Sequence, residues 1–193
     1  MASQIQIINV ALSRIGANEI QNLTPTADKT RLTAEQKLAN SCWDIARQDC
    51  LRAHPWNFAL KDGQLNQIDG YVGYQFKYAY QLPSDFIRLM QVYGNPTYKV
   101  QGRRILLNDE ICKIKYVADI QDTMQWDASF TDVMAQRLAH DMGYALTKWS
   151  ATQHDSMYTI YQQKLKAARY LDSTEDVQDT IGGHDSQYIT VRS

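Results

Sequence analysis

A chain of 193 residues with 44% apolar side chains is long enough for one ordinary hydrophobic core and too apolar to be disordered throughout. Its 20 Lys and Arg are balanced by 21 Asp and Glu, so no chain-wide basic field holds nucleic acid by counterion release, and any contact with DNA is expected to be local or steric.

The chain opens with a helix over about 3–15, carrying Ile5, Ile8, Leu12 and Ile15 on one stripe and stopped by Gly16. Residues 17–30 hold Asn22, Thr24, Pro25 and Thr26 without helical period and read as a surface connection. A second helix is expected over about 29–53, with Leu38, Cys42, Ile45, Ala46 and Cys50 on its buried face. Pro55 ends it, because the residue before a proline is pushed out of the helical region.

The period then changes. Residues 56–60 alternate like a strand, Gly63, Asn66, Asp69 and Gly70 interrupt, and residues 71–82 resume the alternation. Apolar runs at 87–93, 98–100, 105–107 and 111–117 follow, separated by Gly94-Asn95-Pro96, Gly102-Arg103 and Asn108-Asp109. They read as short antiparallel strands joined by tight turns, a β insertion over about 56–119. Tyrosines 71, 74, 78, 80, 93, 98 and 116 crowd it, which suits a half-exposed sheet with buried rings and wet hydroxyls.

Helical period returns over about 129–149, with Ser129 as the expected N-cap and Phe130, Met134, Leu138, Met142, Ala145 and Trp149 on one stripe. A last helix is expected over about 152–171, striped by Met157, Tyr161, Leu165, Ala168 and Leu171. Each helix must bury one face against another. The fold class is therefore α+β: an antiparallel helix bundle with an inserted small antiparallel β-sheet, forming a single domain over 1–173. An extended C-terminal tail, 174–193, follows. It is acidic, holds Gly182-Gly183, and ends in a strand-like segment around Tyr188, Ile189 and Val191 that is expected to order on a partner.

Chemistry-bearing residues are sparse. Cys42, Cys50 and Cys112 form no CxxC pair and have no nearby histidine to complete a zinc site. Cys42 and Cys50, on one helix, lie about 12 Å apart along its axis, too far for a disulfide. All three read as small buried apolar residues. His54, His140, His154 and His184 fall in four separate contexts, so no metal is expected. His140 and Asp141, adjacent on a helix, point some 100° apart and are expected not to pair. No phosphate-cradling or nucleophile-elbow glycine motif occurs, and Asp109-Glu110 and Glu175-Asp176 read as solvated acids. The expectation is no enzyme and no cofactor. Nothing resembles a signal peptide or a membrane span, and the chain is expected to be made and kept in a reducing cytoplasm.

Lys61, Lys77, Lys99, Arg103, Arg104, Lys113 and Lys115 stand among the tyrosines of the insertion. They could make a single-strand nucleic-acid face, the wet side of an ordinary sheet, or a protein interface, where Tyr and Arg are enriched. Tyr78, Arg103 and Arg104 are the interface candidates here, with Tyr188, Ile189 and Val191 in the tail.

Several segments taken together resemble one family. They are Asn9-Val-Ala-Leu-Ser-Arg-Ile-Gly-Ala17, Trp43 followed by Pro55-Trp56-Asn57-Phe58-Ala59, Tyr80-Gln-Leu-Pro83-Ser-Asp-Phe86 and Tyr116-Val-Ala-Asp119, with the long terminal helices. In order and spacing, over about residues 4–173, they are similar to the tail tubular protein A family of short-tailed phages. The resemblance implies a structural virion protein, a head-to-tail adaptor or gatekeeper. It would form a dodecameric ring between the portal protein and the tail nozzle, a tail tubular protein B-like partner, with tail fibres as a further neighbour. The ring would line the channel through which genomic DNA leaves, without specific binding. It also implies a place in the virion tail, after assembly in the host cytoplasm. The competing expectation is a nucleic-acid-binding accessory protein using the basic, tyrosine-rich sheet.

Overall fold

The computed structural model describes residues 2–25 and 31–175. Four helices, α1 (Gln4–Ile15), α2 (Ala34–Ala53), α3 (Ala128–Thr147) and α4 (Ala151–Glu175), enclose the chain order of six strands between α2 and α3. The class is α+β, as the change of period requires.

Helix starts follow one local device. Ser3 accepts from the Gln6 amide at 3.3 Å while the Gln6 side chain accepts from the Ser3 amide at 2.7 Å. Thr33 with Gln36 repeats the arrangement at 3.3 and 2.8 Å, and Ser150 with Gln153 at 3.3 and 3.0 Å. Each pair satisfies two backbone donors that a helix end would otherwise leave orphaned. The second helix therefore begins at Ala34 rather than near 29, and the fourth at Ala151. The N-cap of α3 is Asp127, not Ser129, whose hydroxyl instead donates to the Asp127 carboxylate. At the end of α1, Gly16 takes φ +69°, the left-handed conformation that lets the Ala17 amide reach back to Leu12 O at 3.0 Å.

The central element is α3, packed against α1, α2 and α4. It buries Phe130, Val133, Met134, Leu138 and Met142. Asp132 on α3 pairs with Arg14 of α1 and with Lys164 of α4, tying three helices at one carboxylate. Gly143 is where Trp149 packs: a Cβ there would lie 2.2 Å from the indole. Trp149 is half-buried and sits beyond the helix, because Lys148 ends α3 in the left-handed region. Three further stripe positions differ from expectation. Ile45 (68%) and Leu171 (51%) are exposed, and Ala145 also faces outward. Their places are taken by Trp43, Arg47 and Leu51 on α2 and by Asp172 on α4, all buried.

The insertion holds two three-stranded antiparallel sheets rather than one. β1 (Leu60–Gln64), β6 (Lys113–Ala118) and β3 (Phe86–Val92) make the first, in the order β1-β6-β3. β2 (Tyr78–Gln81), β5 (Arg104–Leu107) and β4 (Tyr98–Gln101) make the second, in the order β2-β5-β4. Residues 57–59 form a 3-10 turn, not the first residues of a strand, and of the stretch 71–82 just Tyr78–Gln81 is strand. Alternation predicts a pleat but cannot distinguish it from a loop that buries some of its side chains, as Phe76 and Tyr71 do here. Tyr80 and Tyr116 are fully covered and Tyr74 fully exposed, so the tyrosines do not share one half-exposed face.

Where insertion meets helices, an aromatic hub forms around Phe130. The rings of Trp56, Phe58 and Trp126 stand at 5.1, 5.0 and 5.0 Å from it in edge-on geometry, and Trp43 stacks on Trp126 at 5.7 Å. Two of the three buried indoles find a carbonyl six residues earlier: Trp56 donates to Cys50 O and Trp126 to Ile120 O, each at 2.9 Å. Arg47, 4% exposed, grips Asp119 with two bonds of 2.8 and 3.0 Å just after β6. A buried guanidinium is tolerated because that bidentate carboxylate and Asp44 meet its donors.

Candidate interaction surface

Residues quoted for the family resemblance turn out to brace the insertion. Asp85 receives Lys61 at 2.8 Å and the Tyr116 hydroxyl at 3.2 Å, and Tyr80 donates to Asp109 O at 2.7 Å. Burial, with Asp85 beside it, pushes the Tyr116 phenol up to about 12. Asp119 holds Arg47. The chemistry of these groups is consumed in positioning strands.

The candidate interface residues have comparable duties. Tyr78 on β2 is half-buried against the main core. Arg103, in the β4–β5 turn, donates to Pro83 O at 2.6 Å and Ser84 O at 3.3 Å. Arg104 lies over the Tyr71 ring at 5.6 Å, a cation–π contact that fixes the loop before β2. Tyr188, Ile189 and Val191 lie outside the described residues. The seven cations divide between sheets: Lys61, Lys113 and Lys115 on the first, Lys99 and Arg104 on the second, with Lys77 and Arg103 beside it. They do not form one face.

What remains open is the β2-β5-β4 sheet and its leading loop. Val72 and Tyr74 at the loop tip are 92% and fully exposed, and all four residues of β4 are exposed. The loop is held nonetheless: Phe76 is buried with Ala79 and Leu106, and the Lys77 amide donates to Asn108 Oδ1 at 2.9 Å. The loop thus presents Val72 and Tyr74 to solvent while Phe76 anchors it.

Two histidines meet, against expectation. His140 on α3 and His154 on α4 stack with ring centroids 4.0 Å apart, and His140 Nδ1 lies 3.0 Å from Asp141 Oδ1. The adjacent pair forms because the ring can swing sideways across the angular gap between neighbouring positions. Asp141 is itself clasped by Arg137 Nε at 3.1 and 3.0 Å, and Arg137 also reaches Asp49. Burial opposes the Arg137 charge, but the two carboxylates outweigh it and raise its pKa. The hairpin explains the encounter: each histidine stands seven residues from Thr147 on antiparallel helices, a signal present in the sequence once the turn is placed. Among the described residues no group of three or more His, Cys, Asp or Glu could hold a metal ion.

A second polar cluster pins the end of α4. Asp172, 4% exposed, accepts from the Asn57 amide at 3.1 Å and lies 3.0 Å from His54 Nε2, while Arg169 donates to Ala53 O at 2.8 Å. Burial holds His54 below its ordinary value despite the neighbouring carboxylate. The thiols of Cys50 and Cys112 are pushed up by burial, to about 12 and about 11, so both remain protonated at neutral pH. No helix among the described residues is long and apolar enough to cross a membrane.

No protein-family model and no curated protein matches this chain.

Proposed function

We propose that this chain is a head-to-tail adaptor of the tail tubular protein A type, joining a portal to a tail nozzle as a closed dodecameric ring. The observation that carries the reading is the division of labour in the insertion. Its quoted motif residues, Asp85, Tyr80, Tyr116 and Asp119, lock two sheets onto a helical body, while the outer sheet and the 71–75 loop present unspent apolar and aromatic side chains. A linker between larger bodies needs that combination of a rigid frame and an open contact edge. Near-neutral charge suits a conduit that lets DNA pass without holding it. The placement of the cations on two sheets, with Lys61, Arg103 and Arg104 engaged internally, favours the adaptor over a nucleic-acid accessory.

Native mass of the purified chain, alone and with purified portal, tests the reading. The expected outcome is a monomer or weak oligomer alone and a dodecamer on the portal. A stable dimer indifferent to portal, or salt-dependent DNA affinity without portal binding, overturns it.

A further inference from the structure

β4 is the open edge of the outer sheet. Among the described residues it pairs with β5 alone, whereas the far edge of β2 is covered by residues 66–68, with Ile68 N to Ala79 O at 2.8 Å and Gln81 N to Asn66 O at 3.0 Å. Directly opposed residues share a face. The rows Tyr78-Leu107-Tyr98 and Tyr80-Ile105-Val100 therefore run from the main core outward. Leu107, Ile105 and Tyr80 are buried in that core, yet Tyr98 and Val100 at the ends of the rows are 43% and 44% exposed. The core face of this sheet continues one strand beyond its cover. An edge of unpaired amides and carbonyls with apolar side chains on one side is a template for another strand.

The chain continues from the end of α4 at Glu175 through residues 176–193. Its last segment, Gln187-Tyr-Ile-Thr-Val-Arg192, places Ile189 and Val191 two apart, matching the spacing of Tyr98 and Val100. Aromatic with β-branched, and β-branched with β-branched, are favourable cross-strand pairs. The intervening stretch carries Glu175, Asp176, Asp179 and Asp185 and no Lys or Arg, while the β4–β5 hairpin carries Lys99, Arg103 and Arg104. Residues 176–186 span up to about 36–40 Å when extended, at 3.3–3.6 Å per residue. Charge and side-chain spacing converge on one occupant.

We propose that this chain's own C-terminal segment, residues 188–191, adds as a fourth strand to the free edge of β4. Ile189 and Val191 then cover Tyr98 and Val100, main-chain hydrogen bonds supply the affinity, and alternate side chains supply the register. With those apolar pairs in place, Thr190 falls opposite Lys99 whichever way the strand runs.

That register gives the test. The full chain carrying Lys99→Cys and Thr190→Cys is oxidised gently, and linked peptides are identified by mass spectrometry. The expected result is a 99–190 disulfide as the main linked species, as a monomer if the segment returns to its own chain and as a dimer if it reaches a neighbour. Adding Ile189→Asp and Val191→Asp should lower its yield tenfold or more. Both changes lie in the tail, so the melting temperature serves as a check that the body is intact. Absence of the 99–190 link, or a yield indifferent to the two aspartates, overturns the proposal. Hydrogen exchange supplies a second reading: those amides of 98–101 that point away from β5 should be protected in the full chain and exposed in one ending at residue 175, and equal exchange in both overturns it. No portal enters either experiment, so a failure here leaves the adaptor reading standing.

Discussion

The two halves of this molecule spend their side chains differently. Around Phe130 rings meet edge to face, the indoles of Trp56 and Trp126 donate, and the guanidinium of Arg47 is matched by carboxylates. In the outer sheet β2 and β5 give Tyr80, Ile105 and Leu107 to the main core and a small core of Phe76, Ala79 and Leu106 backs the other face, yet all four residues of β4 are exposed. Packing and pairing both separate the two, since β4 is an open sheet edge as well as an exposed strand. The difference teaches that burial is concentrated at the junction of helices and insertion and thins out toward β4.

The largest effect should come from the hub itself. Phe130→Ala removes the ring that three aromatic neighbours face and should cost ~3 to 5 kcal/mol, with Leu138→Ala on the same helix close behind at ~2 to 5 kcal/mol. Chemical denaturation measures both. Losses below 1 kcal/mol would mean that α3 is not the centre of the fold.

Next comes overpacking. Gly143→Ala drives a methyl into the space occupied by the Trp149 ring and should cost ~1 to 3 kcal/mol, with a change in Trp149 emission as the ring is displaced. An unchanged melting curve and spectrum would show that the indole has somewhere else to go.

A subtler test uses pH at the end of α4. Burial lowers the His54 pKa in the folded chain, with Arg169 and Arg88 adding repulsion and Asp172 opposing them. The sign follows: the neutral imidazole is favoured by folding, so this site's contribution is complete above the unfolded value near 6.5 and is lost as pH falls through the lower folded value. Thermal unfolding at pH 7.5 and 5 should therefore separate the wild type from His54→Gln, whose amide donates to Asp172 at either pH. If both lose stability equally on acidification, carboxylates elsewhere govern the response.

The smallest effect is expected where the comparison predicts indifference. In the chain ending at residue 175, Tyr98→Ser and Val100→Ser, on the exposed strand, should each shift stability by no more than ~0.5 kcal/mol. Differential scanning calorimetry checks this, and a loss several times larger would place β4 in the core rather than beyond it.

Much of this frame is legible in the amino-acid order. Periodicity places the helices, Gly16 and Pro55 stop two of them, and Gly94-Asn95-Pro96 and Gly102-Arg103 mark turns that the structure contains. The start of α2 is legible too, since Thr33 with Gln36 is a capping signature that outranks the helical period beginning near 29. Elsewhere the signal is not local. Nothing near Arg47 announces Asp119, and nothing near Asp172 announces His54 and Asn57, because those partners are brought together by contacts across more than seventy residues. Ile45 illustrates the reverse error: an apolar side chain at helical spacing is exposed because Trp43 and Arg47 claim the buried side of α2. The division of the strands into two sheets was illegible for the same reason, since a strand's partner is chosen by closure of the chain rather than by its own residues.

The paired indoles at the base of the insertion have a mechanical meaning. Both covalent connections between sheets and helices, at residues 54–59 and 119–127, are fastened within a few residues of a tryptophan that abuts Phe130. A pull on the insertion is thus delivered to the first turn of α3 from two sides at once. Because α3 is flanked by α1, α2 and α4, that load is shared among three helix contacts. The insertion behaves as a handle set into a fixed socket, and under tension its outer strands should yield long before the socket does.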